Sequence, residues 1–288
     1  MQPVHILMAI SVPVIWGFGF TFSKAALAEF PPLLLSGLRY CLTALILIWF
    51  AKWPGRDFGR IVLIALVGSV VQYGLTFTGL KYLDASTAVL IIQLEVPFGV
   101  IAAWLAYREY VGWVRVLGIL LSFVGVGFIA GSPSVSGQWF AVGLVIGGAL
   151  TWAIAQVMVK TLRHTQGFSL IAWLAVIAGP IMIAASLGLE SGHAEALQNA
   201  TWIGWGTLLY LGFIMTALAY GLFYKLLALF PVSRIMPYLL LLPVAGVLGS
   251  MLFLGERPSS MVLLGGVIVV SGVTLIEIFG NPKSAKEQ

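Results

Sequence analysis

The sequence predicts an all-α integral membrane protein, with ten transmembrane helices in two inverted five-helix repeats around a central cavity. Three observations predict this fold: an apolar composition, ten long apolar segments, and a resemblance between the two halves. Of the 288 residues, 60% are hydrophobic and only 9% are charged, whereas about a quarter of a soluble domain is charged. Spans of about 20 residues use nearly the whole chain, so no length remains for a soluble catalytic domain.

The ten apolar segments are separated by turn-forming or charged residues. They cover 5–27, 32–50, 60–80, 85–106 and 113–130 in the first half, and 138–160, 168–188, 202–228, 233–254 and 260–279 in the second. Backbone polar groups must be paired inside lipid, and the runs do not alternate as barrel strands do, so these segments are predicted to be helices. The first segment lacks the positive start and small-residue cleavage site of a signal peptide and is expected to remain a span.

Residues recur between the two halves at nearly constant separations. Trp16, Lys24, Pro97, Glu109, Gly118 and Gly125 return as Trp152, Lys160, Pro243, Glu256, Gly265 and Gly272. We therefore predict two repeats, 1–132 and 133–288. An odd number of spans per repeat makes the second cross the membrane in the opposite sense. Inverted repeats in an apolar chain are typical of secondary transporters with a binding site at mid-membrane.

The distribution of basic residues predicts the orientation. One side of the predicted topology collects Lys52, Arg56, Arg60, Arg108, Arg115, Lys160, Arg163, Lys225, Arg234, Lys283 and Lys286, and the other keeps Lys81 and Arg257. Cytoplasmic loops are enriched in Lys and Arg, so both termini are expected in the cytoplasm of a multi-pass protein of the cell (inner) membrane. The net charge of +5 reflects these loops and does not indicate a nucleic-acid partner.

Proline and glycine in the spans predict bending and close packing. Pro97 and Pro243 lie in the fourth and ninth spans, where proline removes a backbone hydrogen bond and frees a carbonyl. Their matched positions predict paired hinges around a central site. The glycines of spans five and ten predict that these two helices pack closely.

Polar and aromatic side chains at helical spacing form stripes on several spans. The predicted cavity lining is Trp16; Gln72, Tyr73 and Thr76; Gln93 and Glu95; Trp152 and Gln156; Tyr220 and Tyr224; and Tyr238. Amide, hydroxyl and aromatic groups together suit an amphipathic organic solute. The alternative for each residue is helix–helix hydrogen bonding or a place at the membrane interface.

Glu95 is the carboxylate placed deepest in a span. A buried charge is costly in the membrane, so Glu95 is a candidate proton carrier or partner for a substrate amine. The alternatives are a neutral structural carboxyl and a partner for a buried base such as Arg39. Lys24 and Lys160 could meet a substrate carboxylate, although a lysine near a helix end also snorkels. Glu109 and Glu256 are expected to shape loops.

Several kinds of chemistry have no motif in the chain. It contains no phosphate-binding loop, so ATP is not expected to drive it, and neither a His-Glu-x-x-His nor a Gly-x-Ser-x-Gly motif. Cys41 is the single cysteine, so no cysteine metal site or disulfide framework is available. We expect no cofactor, no metal and no enzymatic activity.

The chain resembles the EamA-type members of the drug/metabolite transporter superfamily over essentially its whole length. The resemblance rests on Val14-Ile15-Trp16-Gly17-Phe18, on Pro97-Phe98 with Arg108-Glu109, Gly118 and Gly125, and on Pro243-Val244 with Gly255-Glu256-Arg257-Pro258, Gly265 and Gly272. It implies a cavity between helices one, three, four, six, eight and nine, and export of amino acids and related metabolites, as in bacterial exporters of aromatic and neutral amino acids. Leu241-Leu242-Pro243 offers no counterpart to Glu95, so the two halves of the site are chemically unequal.

The sequence thus predicts a secondary exporter of amino acids, aromatic and neutral ones first, that works by alternating access. Its expected partners are a small-molecule substrate and the lipid bilayer, with a monomer as the working assumption. A drug or nucleotide-sugar carrier of the same superfamily is the alternative. A nucleotide would require several cavity-facing basic residues, and only Lys24 and Arg39 lie deep. An intramembrane enzyme would require a nucleophile and base, or metal ligands, within the spans.

Overall fold

The computed structural model describes residues 2–108, 111–165 and 167–279, and in this part of the chain all regular structure is helical. Within these ranges, ten helices are long and apolar enough to cross a membrane. They are α1 Pro3–Ala26, α2 Pro32–Phe50, α3 Gly55–Tyr82, α4 Ala85–Tyr107, α5 Trp113–Ala130, α6 Trp139–Val159, α7 Gly167–Leu189, α8 Trp202–Leu229, α9 Arg234–Phe253 and α10 Ser260–Ile278. The predicted fold class is confirmed, with span limits within a few residues. Glu109, Lys283 and Lys286 lie outside the described residues.

Two of the ten helices are broken at matched places. Helix α4 consists of α4a, Ala85–Ile91, and α4b, Glu95–Tyr107, joined by a 3₁₀ turn. Helix α9 consists of α9a, Val232–Leu239, whose first two residues precede the span given above, and α9b, Leu241–Phe253. Pro97 and Pro243 each lie at the third residue of the second half-helix, where the missing N–H leaves the carbonyl four residues earlier, that of Gln93 in the 3₁₀ turn or of Leu239 at the end of α9a, without its helical donor.

Helices α3 and α8 also share a local irregularity. Each contains a π-helical segment, Leu66–Val71 in α3 and Tyr210–Leu218 in α8. Such wide turns are rare and often occur at functional sites. The sequence analysis did not find them, because the apolar pattern continues through both.

Carboxylates at the two ends of the bundle join helices of different repeats. Glu190, after α7, accepts hydrogen bonds from the N–H groups of Leu33 and Leu34 at the start of α2, at 2.9 and 3.1 Å. Asp57, after α2, accepts bonds from the backbone just before α7, including that of His164 at 2.8 Å. A helix start presents unpaired N–H groups and a positive dipole end, which a carboxylate satisfies. The reciprocal arrangement is the one an inverted repeat produces.

Glycine-mediated packing holds α5 against α10. A Cβ atom on Gly125 would lie 2.7 Å from the Gly265 carbonyl oxygen, and one on Gly118 would lie 2.6 Å from that of Gly272. Only glycine allows the two backbones to approach so closely. The predicted packing of these helices is confirmed.

The remaining helices surround the centre of the bundle. Helix α6 packs on α3 and α4b, α1 packs on α8 and α9b, and α4a packs on α9b. Helix α2 contacts both α3 and the π-helical part of α8, and so closes the gap between them. One end of the bundle carries Lys52, Arg60 and Arg163 and is called the basic end. The opposite end carries Glu29, Glu190 and Glu256 and is called the acidic end.

Candidate substrate cavity

An aromatic group forms between α1 and α8. The Trp16 ring lies 4.9 Å from the Tyr220 ring and 5.4 Å from Phe223, and Tyr220 stacks on Tyr224 at 6.3 Å. The Trp16 indole N–H donates to the Met215 carbonyl at 3.1 Å, in the π-helical segment of α8. That bond fixes the ring while Trp16, Tyr220 and Tyr224 stay half-buried. The structure thus brings together three of the predicted lining residues.

The predicted lining residues of α3 are separated from the aromatic group of α1 and α8 by helix α2. Tyr73 is half-buried, and its ring lies 5.6 Å from Tyr40 and 5.4 Å from Phe77. Gln72 is buried and donates from Nε2 to the Thr76 hydroxyl at 3.2 Å, while its Oε1 has no hydrogen-bond partner. Thr76 is buried as well. Among these three residues, Tyr73 has the accessible side chain.

Gln93 and Glu95 occupy the break in α4. Gln93 is buried and donates from Nε2 to the Val89 carbonyl at 3.3 Å. Glu95 begins α4b and is half-buried. Its carboxylate forms no ion pair with Arg39, so the structure does not support the alternative in which those two groups neutralise each other.

The stripe on α6 becomes more accessible toward the basic end. Val145 and Ala149 are buried, Trp152 is half-buried and Gln156 is exposed, although all four share one face of the helix. On α9a, Tyr238 is half-buried and packs against the cluster that contains Leu226. No ring contact or hydrogen bond joins Trp152, Gln156 or Tyr238 to the aromatic group between α1 and α8.

Arg39 is a residue that the sequence analysis did not place in the lining. Its side chain is 2% exposed, and its guanidinium carbon lies 4.0 Å from the centre of the Tyr73 ring and 4.8 Å from that of Tyr40. A signal existed, because a charge deep inside a span is a functional candidate by default. The pattern within α2 does not show which helices its long side chain reaches.

The two lysines of the repeat have different surroundings. Lys24 donates to the carbonyls of Leu80 and Lys81 at 3.1 and 2.9 Å, where it binds the last turn of α3. A cation is favourable at that helix end. Lys160 places its ammonium 5.5 Å from the Tyr107 ring centre. Lys24 therefore has a capping role in this structure.

The broken helices pack against each other at one end of the bundle and not at the other. All seven residues of α4a are buried against neighbours that include α9b, and a Cβ on Gly246 would meet the Val89 side chain at 2.8 Å. Gly99 of α4b lies within one residue of the position that corresponds to Gly246 in the other repeat. A Cβ on Gly99 would have no atom within 4 Å. Among the described residues, α4b and α9a share no extended contact. The half-helices are thus packed together toward the acidic end and lack such packing toward the basic end.

Other places on the described molecule suit a substrate or ion less well. A surface depression lined by Glu29, Lys81 and Glu195, among others, lies in the loops of the acidic end, away from the polar stripes. No group of three or more metal-ligating side chains occurs among the described residues.

Within the described residues, the ten spans, two of them broken at matched places, define a polytopic membrane protein. The chain belongs to the EamA-like transporter family, whose sequence model matches residues 4–131 and 139–278. It is 31% identical to a probable amino-acid metabolite efflux pump of Salmonella typhimurium, over 95% of this chain and 94% of that one. A protein of the same description in Escherichia coli is 30% identical over the same shares of the two chains. A crystal structure matches all of both chains with a TM-score of 0.67 at 14% identity, which shows the shared fold alone. The protein is a transporter and not an enzyme.

Proposed function

We propose that this protein exports amino acids, chiefly aromatic and neutral ones, and related metabolites by alternating access. The transport is secondary and needs no ATP. The names of the two relatives, about one third identical over almost their whole length, support the substrate class. The division into repeats 1–132 and 133–288, both termini in the cytoplasm and a place in the inner membrane belong to the same proposal.

The observation that carries the proposal is the unequal closure of the two half-helix pairs. Helices α4a and α9b are packed together, whereas α4b and α9a, in the described residues, share no extended contact. If the basic end is cytoplasmic, as its Lys and Arg favour, the interior opens to the cytoplasm. Closing α4b on α9a while α4a parts from α9b would then deliver a solute outward, with Pro97 and Pro243 at the hinges.

The predicted lining suits an amphipathic solute. Trp16, Tyr220 and Tyr224 offer aromatic surface for an apolar side chain, and Tyr73 and Gln156 offer polar groups for its head. Glu95 begins α4b beside the hinge and keeps its two assigned roles, as proton carrier or as partner of a substrate amine.

The test is transport by the full-length protein in proteoliposomes. The vesicles are loaded with labelled phenylalanine, tyrosine, leucine or serine and, in parallel, with a drug cation or a nucleotide sugar. We expect ATP-independent release of the aromatic and neutral amino acids above that of protein-free vesicles. The matched control is Leu45→Ala on the lipid-facing side of α2, where Leu45 is 68% exposed. Release of only the nucleotide sugar or the drug would overturn the assignment.

A further inference from the structure

Arg39 carries a buried positive charge that forms no ion pair with the acidic residues of the described chain. It is 2% exposed, and its Nε and Nη1 atoms are buried without a hydrogen-bond partner. No carboxylate of the described residues forms an ion pair with it. Burying an unpaired charge is strongly unfavourable, so a group of opposite charge is expected to reach this site at some stage.

The guanidinium lies between α3 and α8. Helix α2 fills the gap between α3 and α8, and one turn after Arg39 the Thr43 hydroxyl donates to the Gly212 carbonyl of α8 at 3.3 Å. The guanidinium lies over the half-buried Tyr73 ring at 4.0 Å, and Tyr220 of the aromatic group is close enough to interact with it electrostatically. Arg39 therefore connects the α3 side of the cavity to the aromatic group on α8.

Two donor atoms of the guanidinium, Nε and Nη1, have no hydrogen-bond partner. A cation–π contact occupies the face of the planar group, whereas its N–H donors point outward in the plane. Two parallel N–H donors match the two oxygens of a carboxylate. Tyr73 and Tyr40 thus hold the cation, and the unpaired Nε and Nη1 donors are available to an incoming anion.

We propose that Arg39 binds the carboxylate of the transported solute while the aromatic group of Trp16, Tyr220 and Tyr224 receives its side chain. This proposal rests on the proposed function, because it assigns one end of an amino-acid substrate. It makes a free carboxylate a condition for tight binding.

The test compares phenylalanine with phenylalaninamide, which keeps the ring and the amine but lacks the carboxylate. Each compound competes with labelled phenylalanine for the full-length protein in nanodiscs. We expect the wild type to prefer the acid by about 10- to 100-fold, as for loss of a hydrogen-bonded charge pair. In Arg39→Gln the acid should weaken to the level of the amide, and the amide should bind as before. Arg39→Lys, which keeps the positive charge but not the paired N–H donors of the guanidinium, should retain part of the preference for the acid.

The control is Arg257→Gln at the exposed acidic end, which should keep the wild-type preference. A structural role for Arg39 would weaken acid and amide equally in Arg39→Gln, or give no acid preference in the wild type, and either result overturns the proposal. Phenyl phosphate competing as well as phenylalanine would reassign the site to phosphate esters. A last outcome separates the two proposals: no amino acid is transported, but 3-phenylpropionate stabilises the wild type and Arg39→Lys while it does not stabilise Arg39→Gln. In that case the proposed function fails and the carboxylate site stands.

Discussion

A substitution at Gly246 should shift the equilibrium between the conformation closed at the acidic end and the one closed at the basic end. In Gly246→Ala, the added methyl carbon would lie 2.8, 3.0 and 3.2 Å from Cγ2, Cγ1 and Cβ of Val89. Carbon atoms pack favourably at about 3.5–4.0 Å, and Val89 is fully buried in α4a, so the contact must open. Overpacking of this kind costs about 1–3 kcal/mol, which is a roughly 5- to 150-fold shift away from the conformation closed at the acidic end.

Hydrogen exchange measured by mass spectrometry on the full-length protein in nanodiscs reports that shift. We expect faster exchange in peptides that cover 85–91 in Gly246→Ala. Gly99→Ala is the matched control, because its methyl group has no neighbour within 4 Å. The double variant Gly246→Ala with Val89→Ala removes both Cγ atoms and should restore slow exchange. Equal effects of the two glycine variants, or no rescue by Val89→Ala, would refute the reasoning.

Three further predictions concern the proton, the orientation and the cavity. If Glu95 takes up and releases a proton during transport, Glu95→Gln flattens the pH dependence of transport; a normal rate with an unchanged pH profile would make Glu95 structural. A cysteine at Ser134 in a cysteine-free background should react with an impermeant maleimide from outside intact cells, and one at Arg163 only after permeabilisation; the reverse pattern contradicts the orientation. Gln156→Ala loses one neutral hydrogen bond to the head of the solute, about 0.5–1.5 kcal/mol, so half-saturation of transport should rise roughly two- to twelve-fold with unchanged protein level. A normal value for Gln156→Ala beside a loss in Leu45→Ala would place the cavity on the wrong faces.

The spans could be predicted because their signal is local. A run of about 20 apolar residues identifies a membrane helix wherever it later packs, and Pro97 and Pro243 marked the broken helices for the same reason. The glycines of α5 and α10 were readable through their recurrence in both halves. These features depend on residues that are close in the sequence or that recur in both halves, and both kinds of pattern can be found in the sequence alone.

The missed features depend on which helices meet. Arg39 appears in the sequence as one charge in α2, and its importance comes from Tyr73, which another helix supplies. Lys24 and Glu190 bind backbone groups of other helices, and no spacing rule indicates those partners. The π-helical segments of α3 and α8 change hydrogen bonds without changing the apolar pattern, so periodicity does not detect them.

The two repeats share their breaks but differ in their charges. Both α4 and α9 are broken three residues before a proline, Pro97 or Pro243. In contrast, Arg39 of α2 has no basic counterpart in α7, and Glu95 of α4 has no acidic counterpart in α9. Movement can therefore reside in backbone features that both repeats keep, and recognition in side chains that one repeat has acquired. It follows that changes at Gly246 should alter which end is open with little effect on the preference for a carboxylate. Changes at Arg39 should alter that preference with little effect on hydrogen exchange in α4a, and the two kinds of variant should combine additively.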